Sequence, residues 1–101
     1  APSTKEERIF KGHTNEKNFV GLAVQDDFIA CGSESHEAYV YYKPLSKPIA
    51  HTSLPFESGI GGEREKPFVS AVSWRPGKHE LLVANSQGCV FVLRLVGSST
   101  I

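Results

Sequence analysis

The sequence predicts an all-β fold, and three of its features carry that expectation. Short runs rich in β-branched and aromatic residues are separated by Gly, Pro, Asp and Ser, which is the pattern of strands joined in a meander. No segment keeps apolar residues at helical spacing over three turns. The second half also repeats the first: Phe68 lies 49 residues after Phe19 and opens the same succession of runs.

Residues 1–7, APSTKEE, are polar, with a candidate helix cap at Ser3 or Thr4, and read as a linker or frayed end. Ile9 and Phe10 lead into Gly12-His13, a pair that often marks the tight entry to a blade of a β-propeller. Phe19 to Val24 is apolar with high β content, and Gln25-Asp26-Asp27 follows as a turn. Phe28 to Gly32 is a second run, closed by the polar cluster Ser33 to Glu37. Ala38 to Tyr42 is a third, stopped by Lys43-Pro44, and Pro48 to Leu54 reads as a fourth.

In the second unit, Phe68 to Trp74 echoes Phe19 to Val24, Leu81 to Ser86 echoes Phe28 to Ser33, and Cys89 to Leu93 echoes Ala38 to Tyr42. A repeat of about 40 to 50 residues with four strands is the sequence form of one propeller blade. The chain then divides into a linker over 1–8, a blade with its preceding outer strand over 9–54 and a variable loop over 55–67. A terminal blade lacking its fourth strand follows over 68–96, with a tail at 97–101. The loop is glycine-rich and charged, as surface loops are. Its glycines lack the Gly-Lys-Ser/Thr and the strand-to-helix setting of a phosphate cradle.

Composition narrows the function classes. The 101 residues suit one small domain and are too few for two. Apolar residues at 40% and charged residues at 22% describe globular material and not a disordered tail. Eleven basic against eleven acidic residues leave no net charge, so nothing favours the long-range attraction on which nucleic-acid binders depend. No apolar run is long enough to span a bilayer, and no secretory signal is visible. Cys31 and Cys89 each sit in a strand-like run and read as small buried thiols in an intracellular protein. The start at alanine suggests a piece of something longer. Because each blade buries its faces against neighbours, two alone are expected to be poorly stable and prone to associate.

Through GHTNEKNFVGL, FIACGSES, YVYYKPLSKP, FVSAVSW and ANSQG, the chain resembles the C-terminal end of the constitutively photomorphogenic E3 ubiquitin ligases. It is similar as well to their plant partners, the suppressors of phytochrome A. The resemblance covers residues 9–96, and generic WD repeats do not carry Asn-Glu-Lys-Asn-Phe after the Gly-His. It implies the last two blades of a seven-bladed WD-repeat β-propeller, incomplete as an isolated chain, whose final strand and RING lie elsewhere. One departure stands out. Tyr41-Tyr42 and Leu93-Arg94 occupy the places where Trp-Asp normally ends the third strand, so the usual Asp-His-Ser/Thr-Trp hydrogen-bond chain is incomplete. Gly12, His13 and Ser33 remain as structural blade residues, and packing is expected to carry more of the stability.

The resemblance also implies a function: recognition of Val-Pro peptides near acidic residues, in transcription factors, photoreceptors or Tribbles-type adaptors. Further implied partners are the remaining blades and cullin-type ligase components, with nuclear and cytoplasmic localisation and a role in light signalling. Neither direct nucleic-acid binding nor a membrane is expected. By resemblance Glu16 and Phe19 carry over to the peptide site, with Lys17 and Asn18 beside them. An aromatic at a strand entry gives a rigid apolar wall for valine and proline, and Glu16 can accept hydrogen bonds from the peptide. Lys17 suits an acidic ligand residue. Each has a plainer reading: Phe19 in the core like Phe68, Glu16 and Lys17 as a solvated pair, Asn18 as a turn cap. Trp74 reads as packing, and His36, His51 and His79 fall in polar turns. No serine or cysteine is placed for activation by histidine, so no catalytic residue, metal site or cofactor is assigned. Two alternatives stand beside peptide recognition: a regulatory scaffold of the suppressor type, and a generic WD-repeat scaffold without a pocket.

Overall fold

The structure is a computed structural model, which describes residues 2–5, 7–56 and 66–96. Most of the 55–67 loop and the 97–101 tail fall outside these residues. The described residues form seven strands and no helix. Strands β1 (Leu22–Gln25), β2 (Phe28–Cys31), β3 (Glu37–Tyr42) and β4 (Pro48–Ser53) make one antiparallel sheet in sequence order. Strands β5 (Val69–Trp74), β6 (Glu80–Asn85) and β7 (Val90–Arg94) make a second. Short β-branched runs between turn formers leave the chain little choice but hairpins. The first turn is tight enough that Asp26 takes φ 55°, a left-handed conformation that Asp tolerates.

The two meanders stack face to face, with β1 and β2 against β5. Strand alternation sends Ala30, Ala38 and Val40 inward to meet Val69, Trp74, Leu81 and Val83, all buried. Each large apolar side chain taken from water there contributes about 1.5 to 3 kcal/mol before entropy is subtracted. Polar contacts fix the slide of one sheet on the other. Trp74 Nε1 donates to the Ala23 carbonyl at 3.3 Å, so its polar tip is satisfied while its ring packs. The Gln25 side chain bridges the seam, accepting from Gly77 N at 3.0 Å and donating to the Lys78 carbonyl at 2.6 Å. Gly32 sits at the closest approach: a Cβ there would collide with the Val20 carbonyl oxygen and the Val69 side chain.

The outer faces are only partly covered. On the first sheet Cys31, Tyr39 and Tyr41 are buried beneath Val20 and Phe10 while Leu22 and Val24 stay exposed, and on the second Leu82, Val90 and Val92 are exposed. Apolar strand residues left uncovered on outer sides are what two adjacent blades present.

Two sequence expectations change. Cys31 is buried, and burial pushes its thiol up, but Cys89 is exposed in the turn before β7. His36, expected in a polar turn, is 1% exposed, with φ 63° and its ring set edge-on to Phe56 and Phe91. Strand alternation does not report on a turn residue that folds back between two sheets.

Candidate functional site

The loop preceding β1 begins at Gly12 and is anchored there. His13 Nδ1 lies 2.8 Å from the Tyr41 hydroxyl, which donates to the Lys11 carbonyl at 3.1 Å. With the phenol proton spent on Lys11, the imidazole donates its own N–H to the phenol oxygen. Tyr41 is 1% exposed and packs with Phe10, so burial pushes its hydroxyl pKa up and keeps it a donor. The partner of His13 is thus the residue standing where WD repeats carry tryptophan. Ser33 is not in that chain. Its buried hydroxyl lies 2.8 Å from Ser35 Oγ, donates to the Glu37 carbonyl at 3.0 Å and accepts from Glu37 N at 3.1 Å. The sequence marks Tyr41 as a departure from Trp-Asp but does not show that its hydroxyl meets His13.

Beyond His13 the chain crosses the end of the first sheet. The Glu34 amide donates to the Thr14 carbonyl at 2.8 Å, and the Glu34 carboxylate receives the next turn of chain. One oxygen accepts Glu16 N at 2.6 Å; the other accepts Lys17 N at 2.8 Å, Asn18 N at 2.6 Å and Asn18 Nδ2 at 2.9 Å. The Glu16 amide, then those of Asn18 and Lys17, hold the Glu34 carboxyl below its usual range. Glu34 was not singled out from the sequence, although one signal for it exists. Continuing the Leu22–Cys31 register past the end of β1 brings Glu34 opposite Phe19.

The four sequence-assigned positions come together on this loop. The backbone amides of Glu16, Lys17 and Asn18 are used, while the side chains of Glu16 and Lys17 are exposed. Asn18 directs its amide to Glu34, the turn-holding role. Phe19 is 93% exposed, unlike a core residue, whereas its neighbour Val20 is 4% exposed and packs with Cys31, Tyr39 and Tyr41. Beside Phe19 opens a cavity of about 620 Å³, whose walls include Phe10, His13, Leu22, Ile29 and Tyr41.

A second polar group lies at the start of β3. Glu37 accepts from Tyr39 OH at 2.7 Å, Ser35 Oγ at 2.9 Å and Ser53 Oγ at 3.0 Å, and His51 Nδ1 is 3.7 Å away. The Tyr39 bond foremost lowers the Glu37 pKa, and the same bond pushes the Tyr39 hydroxyl up to about 12. This cluster is internally satisfied and braces β3 against β4. Among the described residues no group of three or more His, Cys, Asp or Glu is arranged to hold a metal ion. The loop's chemistry is that of a contact surface: an aromatic ring with charged side chains of both signs, held by backbone bonds.

No family model matches the chain. It is 48% identical over 92 residues to E3 ubiquitin-protein ligase COP1 of Arabidopsis thaliana, covering 87% of this chain and 13% of that protein. It is 46% identical over 91 residues to Protein SUPPRESSOR OF PHYA-105 1 of Arabidopsis thaliana, covering 86% and 9%. WD repeat-containing protein RUP2 of Arabidopsis thaliana is 39% identical over 71 residues, covering 67% and 19%. The chain therefore spans a small fraction of the length of the curated relatives it matches. The resemblance read from the NEKNF and GSES motifs holds over most of the chain, and two stacked antiparallel meanders together with WD-repeat relatives make this a partial propeller.

Proposed function

We propose, for a segment sharing nearly half its residues with a COP1 ubiquitin ligase and with a suppressor of phytochrome A, that it supplies part of a peptide-recognition surface. Its ligands are Val-Pro peptides with acidic neighbours, carried by proteins brought to a ubiquitin-ligase complex. The observation that carries this reading is Phe19, 93% exposed on a loop tied by four hydrogen bonds to one carboxylate. A large aromatic ring costs free energy in water, and a ring held rigidly at the rim of an apolar cavity recovers it when valine and proline cover it. Lys17 then faces the acidic residues of the ligand, and Glu16 accepts its N–H groups.

The test is a titration of such a peptide against the full-length protein, with the other blades present. Phe19→Ala is expected to weaken binding by about 1 to 3 kcal/mol, roughly 5- to 150-fold. Unchanged affinity would remove Phe19 from the site. A second reading, a regulatory WD-repeat scaffold, draws equal support from the 46% identity to the suppressor protein. A RING in the full-length protein favours the first reading, and a kinase-like domain the second.

A further inference from the structure

The loop that presents Phe19 has no secondary structure of its own, and β1 begins only at Leu22. Upstream it is moored by the bond between His13 and Tyr41, and downstream by the buried side chain of Val20. Between those moorings, the hydrogen bonds of Glu16, Lys17 and Asn18 among the described residues all end on the carboxylate of Glu34. A carboxylate offers about four lone-pair sites, and four donors meet this one. Three successive amides converging on a single anion fix the backbone of three residues at once. That fixes the direction in which the chain delivers Phe19.

From this geometry we infer that Glu34 is the positioning residue of the recognition loop: its carboxylate sets the loop backbone and thereby holds Phe19 outward for the ligand. The inference rests on the peptide reading for its ligand, though not for its geometry. Glu34 makes no contact with the ligand. It acts through the amides of residues 16–18, leaving the side chains of Glu16 and Lys17 free of competing backbone duties. The negative charge matters as much as the shape. A glutamine in its place has one acceptor oxygen and turns an NH₂ group toward N–H donors, so at least one amide loses its partner and meets a like dipole. Protonation of the carboxyl does the same. Because the amides keep the Glu34 carboxyl below its usual range, the clamp persists through mildly acidic pH and fails only below it.

Two measurements on the full-length protein test this, with a Val-Pro peptide flanked by acidic residues as the probe. In amide hydrogen exchange, the amides of Glu16, Lys17 and Asn18 are expected to be protected in the wild type and to lose about tenfold of that protection in Glu34→Gln. In the wild type, that protection holds at pH 5 and drops as the carboxyl protonates below it. In peptide titration, Glu34→Gln is expected to weaken binding by about 5- to 50-fold, the size of a displaced aromatic anchor. The double variant with Phe19→Ala should bind no worse than Phe19→Ala alone, because both act through one ring. Wild-type protection in Glu34→Gln overturns the inference whatever the peptide does. So does a double variant whose losses add in full. If instead Phe19→Ala binds normally, the peptide reading fails, and the exchange result alone decides the role of Glu34.

Discussion

Phe19 and Phe68 open the two meanders from the same place in the repeat, and they end in opposite situations. Phe68 continues its sheet: its amide donates to Ser86 Oγ at 3.0 Å, and its carbonyl accepts Ser86 N at 2.9 Å. Its ring is half-buried. In the first unit Ser33 echoes Ser86, but the Leu22–Cys31 register continued past β1 puts Glu34 opposite Phe19, and its carboxylate holds the three amides before that ring. Phe19 is left 93% exposed. A serine opposite the aromatic extends the ladder, whereas a longer acceptor-only side chain captures the loop and ends it. One residue facing each phenylalanine separates a strand lead-in from a presented ring.

The comparison is most easily broken where both lead-ins meet. Val20 and Val69, each following its phenylalanine, close on Gly32, where a side chain would strike the Val20 carbonyl and the Val69 side chain. Gly32→Ala should therefore cost about 3 kcal/mol, the upper end of overpacking, seen as a lowered chemical-denaturation midpoint. A loss under about 0.5 kcal/mol would mean that the two units are not pressed together there.

The seam between the units is sharpened by pH. Asn85 Oδ1 accepts Gln87 N at 3.0 Å and Cys89 N at 2.8 Å, which turns Nδ2 toward His36 Nε2 at 3.2 Å. Nε2 is then an acceptor, and the proton sits on Nδ1, which has no partner among the described residues. Burial foremost pushes the His36 pKa below its usual 6.5; the nearby Leu54 backbone, too poorly aligned for a full hydrogen bond, offsets part of this, and the Lys66 charge adds a smaller lowering. The nearby carboxylates of Glu34 and Glu37 are committed to their own donors. An imidazole kept neutral when folded but protonated when unfolded favours unfolding in acid. Its stability contribution is complete above about pH 6.5 and is lost as pH falls toward the folded pKa, at up to about 1.4 kcal/mol per pH unit. Unfolding free energies between pH 7.5 and 5 should show this slope, and His36→Gln should flatten it; an equal slope in both proteins would exclude His36 as its source.

The smallest expected effect lies in the second lead-in alone. Ser86→Ala removes the acceptor for Phe68 N and should cost about 0.5 to 1 kcal/mol, with peptide affinity unchanged. If that change weakened peptide binding as much as Phe19→Ala, the two phenylalanines would not be separate devices.

Much of the fold was legible in the sequence. The runs starting at Phe28, Ala38 and Leu81 are strands, and the fourth run from Pro48 is β4. Period-2 burial in β6, with Leu81 and Val83 inside and Leu82 outside, is the alternation those residues show as text. The candidate loop was visible as NEKNF, but its support was not. Glu34 lies 16 to 18 residues from the amides it holds, inside a polar cluster indistinguishable from any solvated turn. Tyr41 is a strand aromatic like its neighbours until its hydroxyl meets His13.

By itself, then, the sequence determined the strand pattern, the two-unit repeat and the loop that stands out, because hydrophobic periodicity and turn chemistry are local. Which phenylalanine faces water, which histidine is buried and which carboxylate holds the loop were decided by tertiary structure. Those outcomes depend on residues brought together only when hairpins set their register and one sheet lies on the other.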